Sequence, residues 1–480
     1  MMQLEMKKIV IIALAGILFL VGCKKWESQI SVNDAQLEIP LMRQLRSDPL
    51  LTTFTAMVEK TGYDVILTSS QNFTVYAPLN AALASLDPAI SGDLTRLTKF
   101  VANHITPQTY YSKDVVSAQR IKMNSGKYNN IKGSTIEDAT IVKADQYAKN
   151  GVIQIIDKPL LFLENTWNIL STNATIPSKQ KTYLLSLFGK VFDPSKAVQI
   201  GVNSVNGNPI YQAGTDSIQT NRYWRDVYDL TDESKQFTMF VLEDTAWDSE
   251  INKFRSYYAT GTVDSTLNAT SWDIVKDFAV EGLYNQTAIP DTLLSKFNVK
   301  VPVNKASIVR TIKTSNGIIY VMRRVSVAPK EKFKSIVIQA ENYRFQSADK
   351  LGVTFFRDRF NPVTKSDFRD VLVYNHGIAL FNVNYRITNV QSVKYRAYWV
   401  AVNDFQTATF TQRLGIGSPI STLLPYTNVV ANNFGEVLLG EFTISRYAPF
   451  LDLFLTSANS TTAAVNPLVC DYIRLEPVIL

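Results

Sequence analysis

Cys23 and Cys470 are the chain's two thiols, and His104 and His376 are its two imidazoles. A zinc centre needs three or four convergent ligands, which two histidines far apart in sequence do not supply. Cys470 stands in the strand-like run "NPLVCDYIRLEPV" and reads as a small buried apolar residue rather than a nucleophile. No HExxH, GxSxG, phosphate-binding loop or dinucleotide fingerprint occurs. The glycines of "RLGIGSP", Arg413 to Pro419, lack the strand-to-helix setting such loops require. Carboxylates are plentiful, but no pattern singles out an acid–base pair. The expectation is a protein that is not an enzyme, with an unrecognised hydrolase as the far alternative. Non-covalent sugar recognition has more to work with, since aromatic rings flanked by polar groups can stack on a pyranose. Two groups qualify: Tyr374 with Asn375 and His376, and Trp399 with Asn403, Asp404 and Phe405. The mid-strand position of Trp399 also fits a core residue.

The start of the chain bears on location. Lys7 and Lys8 precede Ile9 to Val21, an uncharged apolar run that is too short to span a bilayer of about 30 Å and suits a signal h-region. It ends in "LVGC", Leu20 to Cys23, which resembles the bacterial lipobox. The resemblance implies a signal peptide over residues 1–22, lipid modification of Cys23 and a tether over residues 23–39. Lys24, in place of the Asp that marks inner-membrane retention in such proteins, implies the outer membrane and the cell surface. The bilayer would then be held through the acyl chains of Cys23. A chain that is 46% hydrophobic and 11% aromatic has the apolar content for several cored domains. The net charge of +7 is dispersed, with no basic block interleaved with aromatics, so no nucleic-acid partner is expected.

An internal repeat organises the middle of the chain. "FTVYAPLNAAL", Phe73 to Leu83, and "FTMFVLEDTAW", Phe237 to Trp247, each read as a strand running into a helix. Downstream come "NGVIQIIDK" from Asn150 and "NGIIYVMRR" from Asn316, Asn-Gly turns entering strands. The motif pairs start 77 residues apart in the first copy and 79 in the second, which indicates a duplicated domain. These motifs resemble the fasciclin domain, in which a β-wedge packs against a helical bundle. The first copy also carries "LTKFVANHITP", Leu97 to Pro107, similar to the family's central histidine segment. That similarity implies a packed, hydrogen-bonding His104. Asn80 is expected to cap the helix it opens. The second copy is divergent: "VKDFAVEGLYNQ" lacks the histidine, and a long insertion precedes it.

From Ile336 onward, alternating strands and turns predict a β-sandwich of about eight strands. "VIQAENY", Val337 to Tyr343, and "VCDYIRLEPV", Val469 to Val478, resemble the first and last strands of family 6 carbohydrate-binding modules. The resemblance implies a galactose-binding-like jelly roll, a glycan ligand and a structural calcium ion on Gln339, Glu341 and Asp471, with no other cofactor required. The expected fold is multidomain α+β: fasciclin-like domains over 40–165 and 178–329, then an all-β sandwich over 335–480. The expected role is adhesion or glycan binding, through a glycan or matrix-type ligand. The alternative is a structural accessory subunit of an outer-membrane transporter complex taking up glycans or peptides.

Overall fold

The structure is a computed structural model that describes residues 35–479. The export segment, Cys23 and most of the tether lie outside the described residues. Among those described, no helix is long and apolar enough to cross a membrane. The chain forms two units, one ending at Glu164 and the other beginning at Asn165.

In the first unit, the two signature motifs lie side by side. The strand Phe73–Pro78 runs parallel to Gly151–Ile156, with Phe73 opposite Gly151 and Pro78 opposite Ile156. Central parallel strands are covered on both faces, which is why both runs are almost wholly apolar and buried. Five antiparallel strands complete a seven-stranded sheet, with Ile105–Thr106 at one edge and Gln119–Lys122 at the other. The helix Leu94–Ala102 is capped by Asp93, whose carboxylate accepts from the Arg96 amide. It buries Leu97, Phe100 and Val101 against Phe54, Val75 and Ile153.

The Asn-Gly pair does more than turn the chain. Asn150 accepts from the Leu41 amide at 3.0 Å and donates to the Leu67 carbonyl at 2.7 Å, tying the helices to the sheet. A Cβ on Gly151, whose φ is +144°, would stand 1.9 Å from the Phe73 carbonyl oxygen. Only glycine allows the parallel strands to approach there. Asn80 corrects the capping expectation. Leu79, not Asn80, occupies the N-cap of the short helix Asn80–Leu83. The Asn80 side chain instead accepts from the Thr53 amide at 2.9 Å, capping the first turn of the separate helix Thr52–Lys60.

The second unit opens with the same skeleton. Phe237–Leu242 runs parallel to Gly317–Met322 in a four-stranded sheet edged by Ala279–Glu281 and Ile308–Thr314. Asn316 repeats the role of Asn150, accepting from the Thr166 amide at 2.8 Å and donating to the Leu230 carbonyl at 3.0 Å. A Cβ on Gly317 would meet the Phe237 carbonyl oxygen at 2.2 Å. Asp244 repeats the role of Asn80, accepting from the Lys179 amide at 2.9 Å in the helix Ser178–Ser186. The helix Thr166–Thr172, which the sequence reading leaves between the copies, packs Trp167 and Leu170 into the second copy's core. The insertion is a pair of two-stranded ribbons, Phe188–Phe192 with Ser217–Asn221 and Gln199–Val202 with Pro209–Tyr211.

The sandwich has sheets of four, five and three antiparallel strands, more than the eight strands expected in all. Its first and last strands pair, with Ile336 opposite Leu475 and Gln339 opposite Tyr472. Lys394–Val400 lies between Val437–Thr443 and Tyr472–Pro477, and its alternate residues Tyr395, Ala397 and Trp399 enter the core. The sandwich also hydrogen-bonds to the preceding fasciclin-like domain: the Ser392 amide donates to the Tyr257 carbonyl at 2.9 Å, and the Tyr447 amide to the Ala259 carbonyl at 2.7 Å. The architecture is therefore multidomain α+β, two fasciclin-like domains followed by an all-β jelly-roll sandwich.

Candidate ligand sites of the sandwich

The aromatic groups expected to bind sugar are separated by the fold. Trp399 is 1% exposed, enclosed by strands on both sides, and presents no ring face to solvent. Asn403 is buried too, its amide donating to the Ala408 carbonyl at 3.1 Å. His376 braces a loop from inside. Its Nε2–H donates to the Asn466 carbonyl at 2.7 Å, Nδ1 accepts from the Ile378 amide, and its ring lies 4.5 Å from that of Phe381. Burial pushes this imidazole below its ordinary pKa. Burial places all three residues out of a sugar's reach.

Tyr374 and Asp404 each have other partners. The half-buried Tyr374 packs edge-on against Phe405 at 5.5 Å. Asp404 is held by two guanidinium groups, at 3.1 Å from Arg357 and 2.8 Å from Arg359. Arg357 also forks onto the fully buried Asp370, a planar bidentate pairing that fixes its orientation. The acid of this edge is already neutralised.

A second face escaped sequence reasoning. The strand Thr354–Asn361 pairs antiparallel with Ser366–Val373 and points Phe356, Asp358 and Phe360 to one side, opposite Val371, Arg369 and Asp367. Phe356 is 43% and Phe360 54% exposed. The Phe356 ring is nearly parallel to that of Tyr343, with an interplanar angle of 8° at 6.2 Å, and the Arg369 guanidinium stands 5.8 Å from its centre. Four strand positions separate the two phenylalanines by about 13 Å, a span suited to an oligosaccharide rather than one sugar ring. A shallow depression beside Phe360 is lined by Asp358, Arg359, Asp367 and Phe368. The signal was present as "FFRDRF", Phe355 to Phe360, where aromatic and charged residues alternate.

The residues expected to hold calcium lie at the paired termini of the sandwich. Gln339 ends its strand and is exposed. Glu341 is half-buried, and its Oε2 is shielded from water with no hydrogen-bond partner. Asp471 is buried, and burial followed by the charges of Asp370 and Glu341 pushes its carboxyl up to about 7. Among the described residues, no group of three or more His, Cys, Asp or Glu side chains gathers to hold a metal. The unpartnered Glu341 Oε2 and the raised Asp471 carboxyl are oxygen donors of the kind a hard cation takes. Cys470, next to Asp471, is fully buried, and burial drives its thiol upward, which excludes it as an exposed nucleophile.

Comparison with known proteins places parts of the chain. A Synechocystis sp. protein of uncharacterised function is 25% identical over 122 residues, covering 24% of this chain and 92% of that protein. Among solved structures, the FAS1 domain pair of the insect cell adhesion molecule Fasciclin I is 15% identical, with a TM-score of 0.24, covering 59% of this chain and 98% of that one. CsCBM6-3 from Clostridium stercorarium, in complex with cellobiose, is 20% identical with a TM-score of 0.20, covering 30% and 94%. Carbohydrate-binding module CBM36, in complex with calcium and xylotriose, is 16% identical with a TM-score of 0.21, covering 29% and 99%. The family model of the Fasciclin domain matches residues 49–162.

Proposed function

We propose that this chain is a non-catalytic adhesion protein of the cell envelope, lipid-anchored at Cys23, that holds glycans on its C-terminal sandwich. The observation that carries the reading is the Phe356–Phe360 face, where two exposed rings flank charged hydrogen-bonding groups on an antiparallel strand pair. The Fasciclin-domain match supports the adhesive half. A glycan array probed with the full chain should give binding to an oligosaccharide class, and Phe356→Ala with Phe360→Ala should weaken it at least tenfold. A flat array, or a double variant that binds as before, would rule out this face. The anchor is tested by mass analysis of the native protein: a diacyl or triacyl addition on Cys23 is expected, lost in Cys23→Ser.

The reading includes a structural calcium at the sandwich termini, held by Glu341, Asp471 and Gln339. A bound cation would neutralise the crowded carboxylates and join the first strand to the last. Without it, the Asp471 carboxyl titrates near 7 when folded and near 4 when unfolded. The folded form then holds the extra proton, so this group's contribution is complete below pH ~4 and lost as pH rises through about 7. The size is on the order of 2 kcal/mol, discounted for the solvent that reaches the carboxylate. In EDTA at pH 8, Asp471→Asn should therefore be the more stable protein by urea denaturation. In calcium the order should reverse, because only the parent chain gains. Equal response of both proteins to calcium would remove the site.

One observation favours a second reading, an accessory subunit of an uptake complex. The stretch Val198 to Gln212 contains no charged residue, and its ribbon exposes Ile200, Val202, Val205 and Ile210. Edges are ordinarily protected by charge, so this one suits burial against another protein. Co-purification from envelope extracts that is lost in Ile200→Lys, with glycan binding intact, would establish that role.

A further inference from the structure

We infer that the first unit holds a binding site for a single-chain anionic amphiphile, between the helix Leu94–Ala102 and the exit segment Leu161 to Glu164. A cavity of about 380 Å³ lies there, within the size range of small-ligand sites. Ile90, Phe100, Leu161 and Leu163 give it apolar walls. Arg96 and Lys99 stand on its rim with Glu164, three positions apart and hence on one helix face. The Lys99 ammonium is 5.2 Å from the centre of the Phe162 ring, and the Lys127 ammonium is 4.8 Å from the same ring. Lys127 is buried behind that ring, so the rim of the apolar opening carries two exposed cations, Arg96 and Lys99, and one carboxylate, Glu164.

The wall formed by the exit segment is held in place from beneath. Asn103 donates to the Leu160 carbonyl at 3.3 Å and the Leu161 carbonyl at 3.1 Å, and the Leu160 amide donates to His104 at 2.9 Å. The cavity is thus pre-formed, which lowers the ordering cost of binding. Apolar walls accept an alkyl chain, and the rim cations accept a carboxylate or phosphate head. The chain and head group come from a free fatty acid or from one acyl chain and the phosphate of a phospholipid, and the inference is independent of the glycan face.

The test is calorimetric titration of the full chain with decanoate and decyltrimethylammonium below their micelle concentrations and with decanol below its solubility. Decanoate should bind at least tenfold more tightly than decanol, and the cationic chain should not bind. Arg96→Gln with Lys99→Gln should erase that preference while leaving decanol binding, and Leu161→Trp should block both. Equal binding of decanoate and decyltrimethylammonium would overturn the inference, as would a preference that survives the double change. Phosphatidylglycerol vesicles that sediment the protein and are displaced by decanoate would show that phospholipid reaches the same site. Sedimentation that decanoate does not reduce, with no decanoate binding in solution, would replace the cavity with a membrane-facing surface.

Discussion

Lys332→Met is expected to destabilise the second unit by about 3–5 kcal/mol, the range for removing one partner from a buried ion pair. Lys332 ends the short helix Pro329–Lys332, on the segment that joins the second fasciclin-like domain to the sandwich. Its ammonium is buried, 3.3 Å from Asp273, and it donates to Asp277. Asp277 in turn accepts from Ser295 at 2.6 Å, and Asp273 pairs with Lys276 at 2.6 Å. The neighbouring Phe333 lies 4.6 Å from the Tyr257 ring and 6.0 Å from that of Phe254. Burial works to lower the Lys332 ammonium, and Asp273 and Asp277 override it, leaving it raised. Burial works to raise the Asp273 carboxyl, and Lys332 with Lys276 overrides it, holding it below the usual carboxylate range. Removing the ammonium takes away the largest effect opposing burial at Asp273, so that carboxyl rises in the folded state. The variant should then gain stability as pH falls toward the ordinary carboxylate range, where the parent does not. Adding Asp273→Asn and Asp277→Asn should recover much of the loss and abolish that pH response. Urea denaturation with hydrogen exchange over residues 244–339 reads both effects. A loss under 1 kcal/mol, or no acid rescue, would mean that water reaches the cluster and the linker is not clamped.

The two fasciclin-like domains hold their exit segments with different chemistry at corresponding places. The Tyr76 amide donates to the His104 carbonyl and the Phe240 amide to the Phe278 carbonyl, each at 2.8 Å, so Phe278 stands where His104 does. Asn103 then corresponds to Asp277, and each accepts from a serine, Ser125 at 2.8 Å and Ser295 at 2.6 Å. In the first domain, the amide and imidazole grip the backbone of Leu160 and Leu161. In the second, the carboxylate grips the ammonium of Lys332. The duplication itself was legible because glycine at a close strand approach and asparagine at a three-way hydrogen bond leave fixed spacings. The clamp was not legible. Lys332 sits in "APKEKFK", a run that reads as solvated linker, and its partners Asp273 and Asp277 lie 59 and 55 positions earlier. The sandwich shows the same divide. Period-2 alternation gave its strands, but which aromatics face solvent depends on non-local pairing. Trp399 therefore went inside, and Phe356 and Phe360 stayed out.

Acidification should unlock the first domain through His104. Its Nδ1–H donates to the Phe100 carbonyl at 2.8 Å, and Nε2 accepts from the Leu160 amide at 2.9 Å, so the ring is neutral with one tautomer fixed. Burial pushes its pKa down to about 4, against the smaller opposing effect of the Phe100 carbonyl. A proton on Nε2 would set two N–H groups against each other and strand a charge between Phe54 and Phe100, whose rings lie 5.3 and 4.5 Å away. With the folded value below the unfolded one near 6.5, the contribution is complete above pH ~6.5 and lost as pH falls through about 4. The full difference is on the order of 3 kcal/mol. His104→Phe tests this cleanly, because phenylalanine already fills the corresponding position of the second domain. It should cost about 1–3 kcal/mol at pH 7, where the Leu160 amide and Phe100 carbonyl lose their partners. It should also flatten the decline between pH 6.5 and 4. His104→Ala adds a cavity and should cost more, about 3–5 kcal/mol. Hydrogen exchange of the strands Phe73–Pro78 and Gly151–Ile156, followed across this pH range, measures the first domain separately from the rest. An unchanged acid decline in His104→Phe would assign the sensitivity to carboxylates instead.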